Sequence, residues 1–254
     1  MPTEARDEVL FLFDVDGTLT PSRQKAPKEI LNMLNGLKKK VRIGFVGGSD
    51  LSKQYEQIGS DLLDIFDFGF PENGVQFYEG KKLASSESFI GFLGEENYNL
   101  LVNFILGEFS KLVLPVKRGN FIELRQSMLN ICPVGRSCSS EERLEFFEFD
   151  KKNGIREKIA NQINGKFGDS LKIQCSIGGQ ISIDIFPRGW DKTYCLRHIK
   201  QKKIYFFGDM TEKGGNDYEI FSHPSVIGTK VKNPQDTIEQ VNKRLEELGL
   251  TKLN

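Results

Sequence analysis

Histidine is nearly absent from this chain. There are two in 254 residues, with four cysteines and one tryptophan. The cysteines, Cys132, Cys138, Cys175 and Cys195, show no Cys-x-x-Cys spacing. Ligands so few and so scattered argue against a zinc cluster, and the spacing fits free thiols in a reducing compartment. There is no excess of one charge either: Lys+Arg and Asp+Glu are 35 each. That balance argues against general nucleic-acid binding, which needs surplus positive charge. No apolar run approaches the about 20 residues of a membrane span. The start, MPTEARDE, carries both signs of charge and leads into only five apolar residues, which is no signal-peptide pattern. The expectation is a soluble cytoplasmic protein with neither nucleic acid nor membrane as partner. Its length and its 38% hydrophobic content suffice for one large domain or two small ones.

What is present is an α/β pattern. VLFLF (9–13) is a continuous apolar run, the mark of a strand covered on both faces. PKEILNMLNGLKKK (27–40) reads as a helix with Ile30, Leu31, Leu34 and Leu37 on one face. VRIGFVGG (41–48) is a second buried strand, DLSKQYEQIG (50–59) a short helix, and DIFDFGFPENG (64–74) a strand entering a turn. This βαβαβ order predicts a parallel sheet with right-handed crossovers. The character changes near Leu83. GEENYNLLVNFILGEFSKL (94–112) reads as one long amphipathic helix whose stripe is core or interface. Strand-like segments lie within 120–135 and 171–186, and 139–163 is helical with a break near Asn153-Gly154 and a capping box at Ser139 and Glu142. KKIYFFGD (202–209) returns to the buried-strand pattern, and 233–250 closes as a helix. The expected architecture is a discontinuous core, 1–84 with 188–254, and an inserted α+β cap, 85–187.

The chemistry concentrates at FLFDVDGTLT (11–20). Asp14 and Asp16 follow the first strand, where open α/β sheets place their sites. Carboxylates there are costly unless paired. Two of them, two residues apart, offer an attacking group and a proton carrier, and Gly17 permits a tight turn. Ser49 in VGGSD lies at a helix start suited to a phosphate, with Asp50 as a competing cap. Lys192 in GWDK, Asp209 in FFGD, and Asn216 and Asp217 in GGND follow. Several carboxylates around a phosphate dianion repel one another, and a Mg²⁺ would resolve the repulsion. Taken singly, each has a bland reading: a turn cap for the aspartates, an N-cap for Ser49, a solvated chain for Lys192. The ordered set is what points to phosphoryl chemistry.

FDVDGT, the serine after an apolar strand, the lysine and GD…ND resemble the four motifs of the haloacid dehalogenase superfamily of phosphotransferases. RQKAP, GFVGGSD, PENG, RGNFIELR, GRSCSSEER, SIGGQISIDIFPRGWDK and YFFGDMTEKGGNDYEIF together resemble the eukaryotic phosphomannomutase family over almost the whole chain. The resemblance implies a Rossmann-like core with an inserted cap, and an interconversion of mannose 6-phosphate and mannose 1-phosphate primed by a hexose 1,6-bisphosphate. It implies Asp14 as nucleophile and Asp16 as proton donor and acceptor, with Ser49 and Lys192 on the transferring phosphoryl oxygens. Mg²⁺ would be held by Asp14, Asp209 and the backbone carbonyl of Asp16. Arg23, Arg125, Arg136 and Arg143 would take the phosphate and sugar, with Ser182, Asp184 and Gly179 on the hydroxyls. A second cation would rest on the carbonyls of Phe221, His223 and Val226, although an acid is expected at 223 and a hydroxyl residue at 226. A homodimer through the cap is implied as well. The competing readings are a sugar phosphatase using the same aspartates and a non-catalytic sugar-phosphate binder. An arginine-rich cap favours the mutase, because hydrolysis needs no distal phosphate clamp.

Overall fold

The computed structural model describes residues 6–22 and 24–253. It divides into two compact units, residues 1–86 with 189–254, and 87–188. In the first unit the strands are β1 (Val9–Phe13), β2 (Arg42–Val46), β3 (Phe68–Phe70), β4 (Gln76–Glu79), β5 (Lys82–Ser86), β10 (Lys203–Gly208) and β11 (Val226–Lys230). They form one sheet in the order β11-β10-β1-β2-β3-β4-β5. Five are parallel, and β3, β4 and β5 pair antiparallel at one edge. The sequence pattern does not reveal the β4–β5 hairpin, because β4 is only half-buried, β5 is largely exposed, and neither carries an apolar rhythm.

The apolar run of β1 is buried on both faces. Phe11 and Phe13 join Ile43, Phe45, Tyr205 and Phe207 in one core, and Leu10 and Leu12 join Val46, Ile204 and Phe206 in another. Odd and even residues of a strand point to opposite faces, so a continuous run fills two layers. Helices α1 (Lys28–Leu37) and α9 (Pro234–Glu247) cover the first core with Ile30, Met33, Leu34, Leu37, Val241 and Leu245. The short α2 (Leu51–Ile58) and α3 (Leu62–Ile65) follow β2.

The second unit is α+β. Strands β6 (Ile122–Leu124), β7 (Leu129–Ile131), β8 (Ile173–Gly178) and β9 (Ser182–Pro187) pair antiparallel in the order β6-β7-β9-β8. Leu129, Ile131, Ile173, Ile183 and Ile185 form its apolar face, packed with side chains from α4 (Phe89–Leu93), α5 (Glu95–Lys111) and α7 (Ile155–Phe167). The expected helix 94–112 is present as one helix, Glu95–Lys111, with Gly94 and Leu112 as its caps. Gly94, at φ 76°, ends the separate turn α4 before it. Helix α6 (Ser140–Asn153) starts with the expected capping box, and Gly154 at φ 61° separates it from α7.

Candidate active site

Two adjacent parallel strands deliver the first carboxylates. Phe13 pairs with Phe207, and the Asp14 amide donates to the Phe207 carbonyl at 2.9 Å. Asp209 follows β10 just as Asp14 follows β1, so both reach the carboxyl end of the sheet side by side. Gly17 stands at φ 82°, and a Cβ there would fall on the Asp209 carboxylate, so the turn after Asp14 tolerates only glycine. Asp217 precedes the short helix α8 (Tyr218–Phe221) and is fully buried. Its Oδ2 accepts from the Met210 amide at 3.0 Å. A Cβ on Gly208 would come within 2.6 Å of the same oxygen, so this strand too ends in a required glycine.

Asp14, Asp209 and Asp217 each offer an oxygen, and these lie within 4.8 Å of one another. Lys192 opens a 3₁₀ segment, Lys192–His198, whose start is capped by Asp191 through the Thr193 amide at 2.8 Å. The Lys192 ammonium is 1% exposed and donates to Asp14 and, at 2.5 Å, to Asp217 Oδ1. Three carboxylates against one ammonium leave two negative charges uncompensated. Burial, helped by Asp217 and Asp209 and opposed by Lys192, pushes the Asp14 carboxyl up to about 7. Burial and then Asp217 push Asp209 up as well. Burial works against the Lys192 charge, but Asp14 and Asp217 outweigh it and push its pKa up. The lysine therefore stays a cation, and any proton the cluster takes belongs to a carboxylate. Hard oxygen donors with a net charge of minus two suit a divalent cation such as Mg²⁺.

Asp16 is not part of this trio. It bridges to Thr20, and its Oδ1 accepts from Gln57 Nε2 on α2 at 2.7 Å. Gln57 had no signal in the sequence, because it lies 41 positions away on a helix face. Ser49 precedes the helix start without capping it. Asp50 is the cap, taking the Lys53 amide at 2.9 Å. The Ser49 carbonyl accepts from the Glu72 amide at 3.0 Å and Gln54 Nε2 at 3.1 Å, so the PENG turn holds this loop in place.

In the second unit, the row Glu123, Asn130, Asp184, Ser176 crosses all four strands in register. Arg125 pairs with Glu123 at 2.6 Å, and Arg136 pairs with Glu123 at 3.1 Å and donates to Asn130 Oδ1 at 2.9 Å. Asn130 Nδ2 then donates to Asp184. The structure thus joins Arg125, Arg136 and Asp184 through Glu123 and Asn130, neither of which the sequence singled out. Ser182 and Asp184 share one strand face as their spacing predicts, and the Ser182 hydroxyl donates to the Gly178 carbonyl at 2.9 Å. Gly179 turns at φ 49°, and its carbonyl accepts from Arg156 at 2.9 Å. Arg143 stands in the first part of α6, with its amide on the Ser139 carbonyl. Arg23 lies outside the described residues.

Phe221 ends α8, and the Val226 amide donates to the His223 carbonyl at 2.9 Å. His223 Nδ1 meets Ser225 Oγ at 2.8 Å. None of these three joins the acidic group found among the described residues.

A sugar phosphatase of HAD subclass IIB superposes with a TM-score of 0.57 at 16% identity, over 94% of this chain and 98% of that one. The C-terminal domain of Candida albicans trehalose-6-phosphate phosphatase gives 0.54 at 15%, over 98% and 79%. Likeness at this identity establishes the haloacid dehalogenase fold alone. Sequence goes further. A phosphomannomutase of Encephalitozoon cuniculi is 58% identical over 97% of both chains. One of Schizosaccharomyces pombe is 53% identical over 96% of this chain and 97% of its own. The family model described as eukaryotic phosphomannomutase matches residues 30–247. On that span and that identity, the chain belongs to the eukaryotic phosphomannomutase family.

Proposed function

We propose that this protein interconverts mannose 6-phosphate and mannose 1-phosphate, supplying the 1-phosphate for GDP-mannose and glycosylation. A hexose 1,6-bisphosphate, of glucose or mannose, would act as primer. The observation that carries the reading is the strand-end cluster of Asp14, Asp209 and Asp217 around buried Lys192, in a chain of this family.

Asp14 attacks the phosphorus of the bisphosphate, and the bond from phosphorus to the sugar oxygen breaks, leaving an aspartyl-phosphate. Asp16 gives its proton to that departing oxygen and later takes one from the hydroxyl that receives the phosphoryl group. The Gln57 contact fixes the rotation of the Asp16 carboxyl. Lys192 neutralises phosphoryl charge, and Ser49 holds a phosphoryl oxygen. Asp14 and Asp209, with the carbonyl of Asp16, are the residues that would hold Mg²⁺, with Asp217 adding charge behind them. The cation's charge, when bound, balances the cluster and favours the ionised form of Asp14. Arg125, Arg136 and Arg143, with Arg23, take the distal phosphate through their planar forks, and Ser182 and Asp184 take sugar hydroxyls. A homodimer through the 87–188 unit is part of the reading. Exposed Leu100 and Leu106 on α5, and Val113 at 89% exposure, support it. Free cysteines support a cytoplasmic setting. A second cation at Phe221, His223 and Val226 would have only backbone carbonyls and a histidine as ligands, with no carboxylate among them.

Phosphorus NMR with Mg²⁺, mannose 1-phosphate and a catalytic amount of glucose 1,6-bisphosphate tests it. Mannose 6-phosphate should appear without free phosphate and be absent with Asp14→Asn. Inorganic phosphate as the main product would overturn the mutase and leave a phosphatase.

A further inference from the structure

The buried ion pair of Asp150 and Arg156 has no part in the mechanism above. Both residues are more than nine-tenths buried. A buried charge pair is costly to desolvate, and apolar residues of similar size often serve stability as well. Something other than packing should therefore explain this one. Asp150 Oδ2 accepts from Arg156 Nε at 2.7 Å, and Oδ1 accepts from the Arg156 amide at 2.8 Å. The carboxylate thus aims the guanidinium. Arg156 Nη1 donates to the Gly179 carbonyl at 2.9 Å and lies 3.3 and 3.4 Å from the carbonyls of Ser182 and Gly178. Nη1 gathers three carbonyls of the turn between β8 and β9 while Nε stays on Asp150, and neither the single nitrogen of a lysine nor an apolar chain would span both.

That turn sets the two hydroxyl-binding candidates. The Ser182 hydroxyl donates to the Gly178 carbonyl at 2.9 Å. A Cβ on Gly178 would stand 2.7 Å from Asp184 Oδ2 and 2.9 Å from Ser182 Oγ, so both side chains lie against its bare Cα. Where the Gly178 backbone sits decides where both side chains sit. We propose that Arg156, aimed by Asp150, is a positioning residue that fixes the Gly178–Asp184 hairpin and so the recognition of sugar hydroxyls. The proposal rests on the functional reading above, in which Ser182 and Asp184 touch the sugar. Contacts to the hydroxyls are made in ground and transition states alike. Their loss therefore appears in KM rather than in kcat.

Two variants test it. Arg156→Lys keeps the charge that Asp150 needs and loses the fork. The double variant Asp150→Leu with Arg156→Met removes both charges and keeps the volume. For each, kcat and KM for mannose 1-phosphate, melting temperature and amide exchange over 176–184 are measured. KM should rise about tenfold with kcat within about threefold, and exchange at 178–182 should accelerate. A folded variant with native KM and native exchange would overturn the proposal and reduce the pair to a structural tie. If the unsubstituted protein turned over no mannose phosphate, the functional reading would fall instead, and the exchange data would still decide whether Arg156 fixes the turn. Should the double variant not fold, Arg156→Lys carries the same test.

Discussion

Lys192 shows what one buried ammonium does among three carboxylates. It neutralises one charge and leaves Asp14 near the pH at which its proton is exchanged. Replacing it by methionine removes the one cation that, among the described residues, contacts both Asp14 and Asp217. At pH 8 and without Mg²⁺, Lys192→Met should cost about 3–5 kcal/mol, because both carboxylates are left buried and unpaired. At pH 5 the cost should be smaller, because an Asp14 pushed up to about 7 then carries its own proton. Urea unfolding at the two pH values measures both, and an equal loss at each would mean that the lysine does not hold the carboxylate charge. The sequence showed Asp14, Asp16, Asp209 and Lys192 through motif residues, since each stands beside a strand end or a turn readable locally. It did not show which of them touch. Lys192 lies 178 positions from Asp14, and Gln57 41 from Asp16. Such pairings come from strand order, and strand order is not a local property.

Elements were legible where burial was two-sided or periodic. The apolar runs of β1, β2 and β10 and the stripes of α1 and α9 stood out. The β4–β5 hairpin and the short α3 did not, because exposed or very short elements leave little pattern. The break between α6 and α7 was legible as Asn153-Gly154, and the structure gives it a use. In an unbroken helix, Asp150 and Arg156 would point to different sides, since six residues exceed one turn and a half. The left-handed Gly154 turns the chain so that Asp150 reaches both the amide and the side chain of Arg156. Gly154→Ala should therefore destabilise by about 1–2 kcal/mol from the backbone alone. It should also accelerate amide exchange at Arg156. A melting temperature equal to that of the unsubstituted protein would show that the break tolerates a side chain.

At the scale of the whole molecule, two separate sets of hydrophobic cores lie in two units, and the acidic cluster belongs to one of them. Trp190, the sole tryptophan, lies in that same unit and is 5% exposed, so its fluorescence follows the unfolding of the unit that would hold the cation. The pH dependence follows from Asp14. Its carboxyl is raised in the folded state from an ordinary 3.8 to about 7. The folded protein then binds more protons than the unfolded chain between those values. Without metal, the stability contributed by this group is greatest below pH 4 and is lost as pH rises through about 7. A cation competes with that same proton, so its apparent affinity should grow over the same window. At a concentration one hundred times its dissociation constant, a bound cation stabilises by about 2.7 kcal/mol. For a chain of this size that is an upward shift of about 5–10 °C in the fluorescence-detected midpoint. The Mg²⁺-induced shift should be small at pH 5.5, larger at pH 8, and absent at both with Asp14→Asn. A shift independent of pH would place the cation away from Asp14. No shift at either pH, with Mg²⁺ at millimolar concentration, would mean that the three carboxylates rely on Lys192 and protons alone.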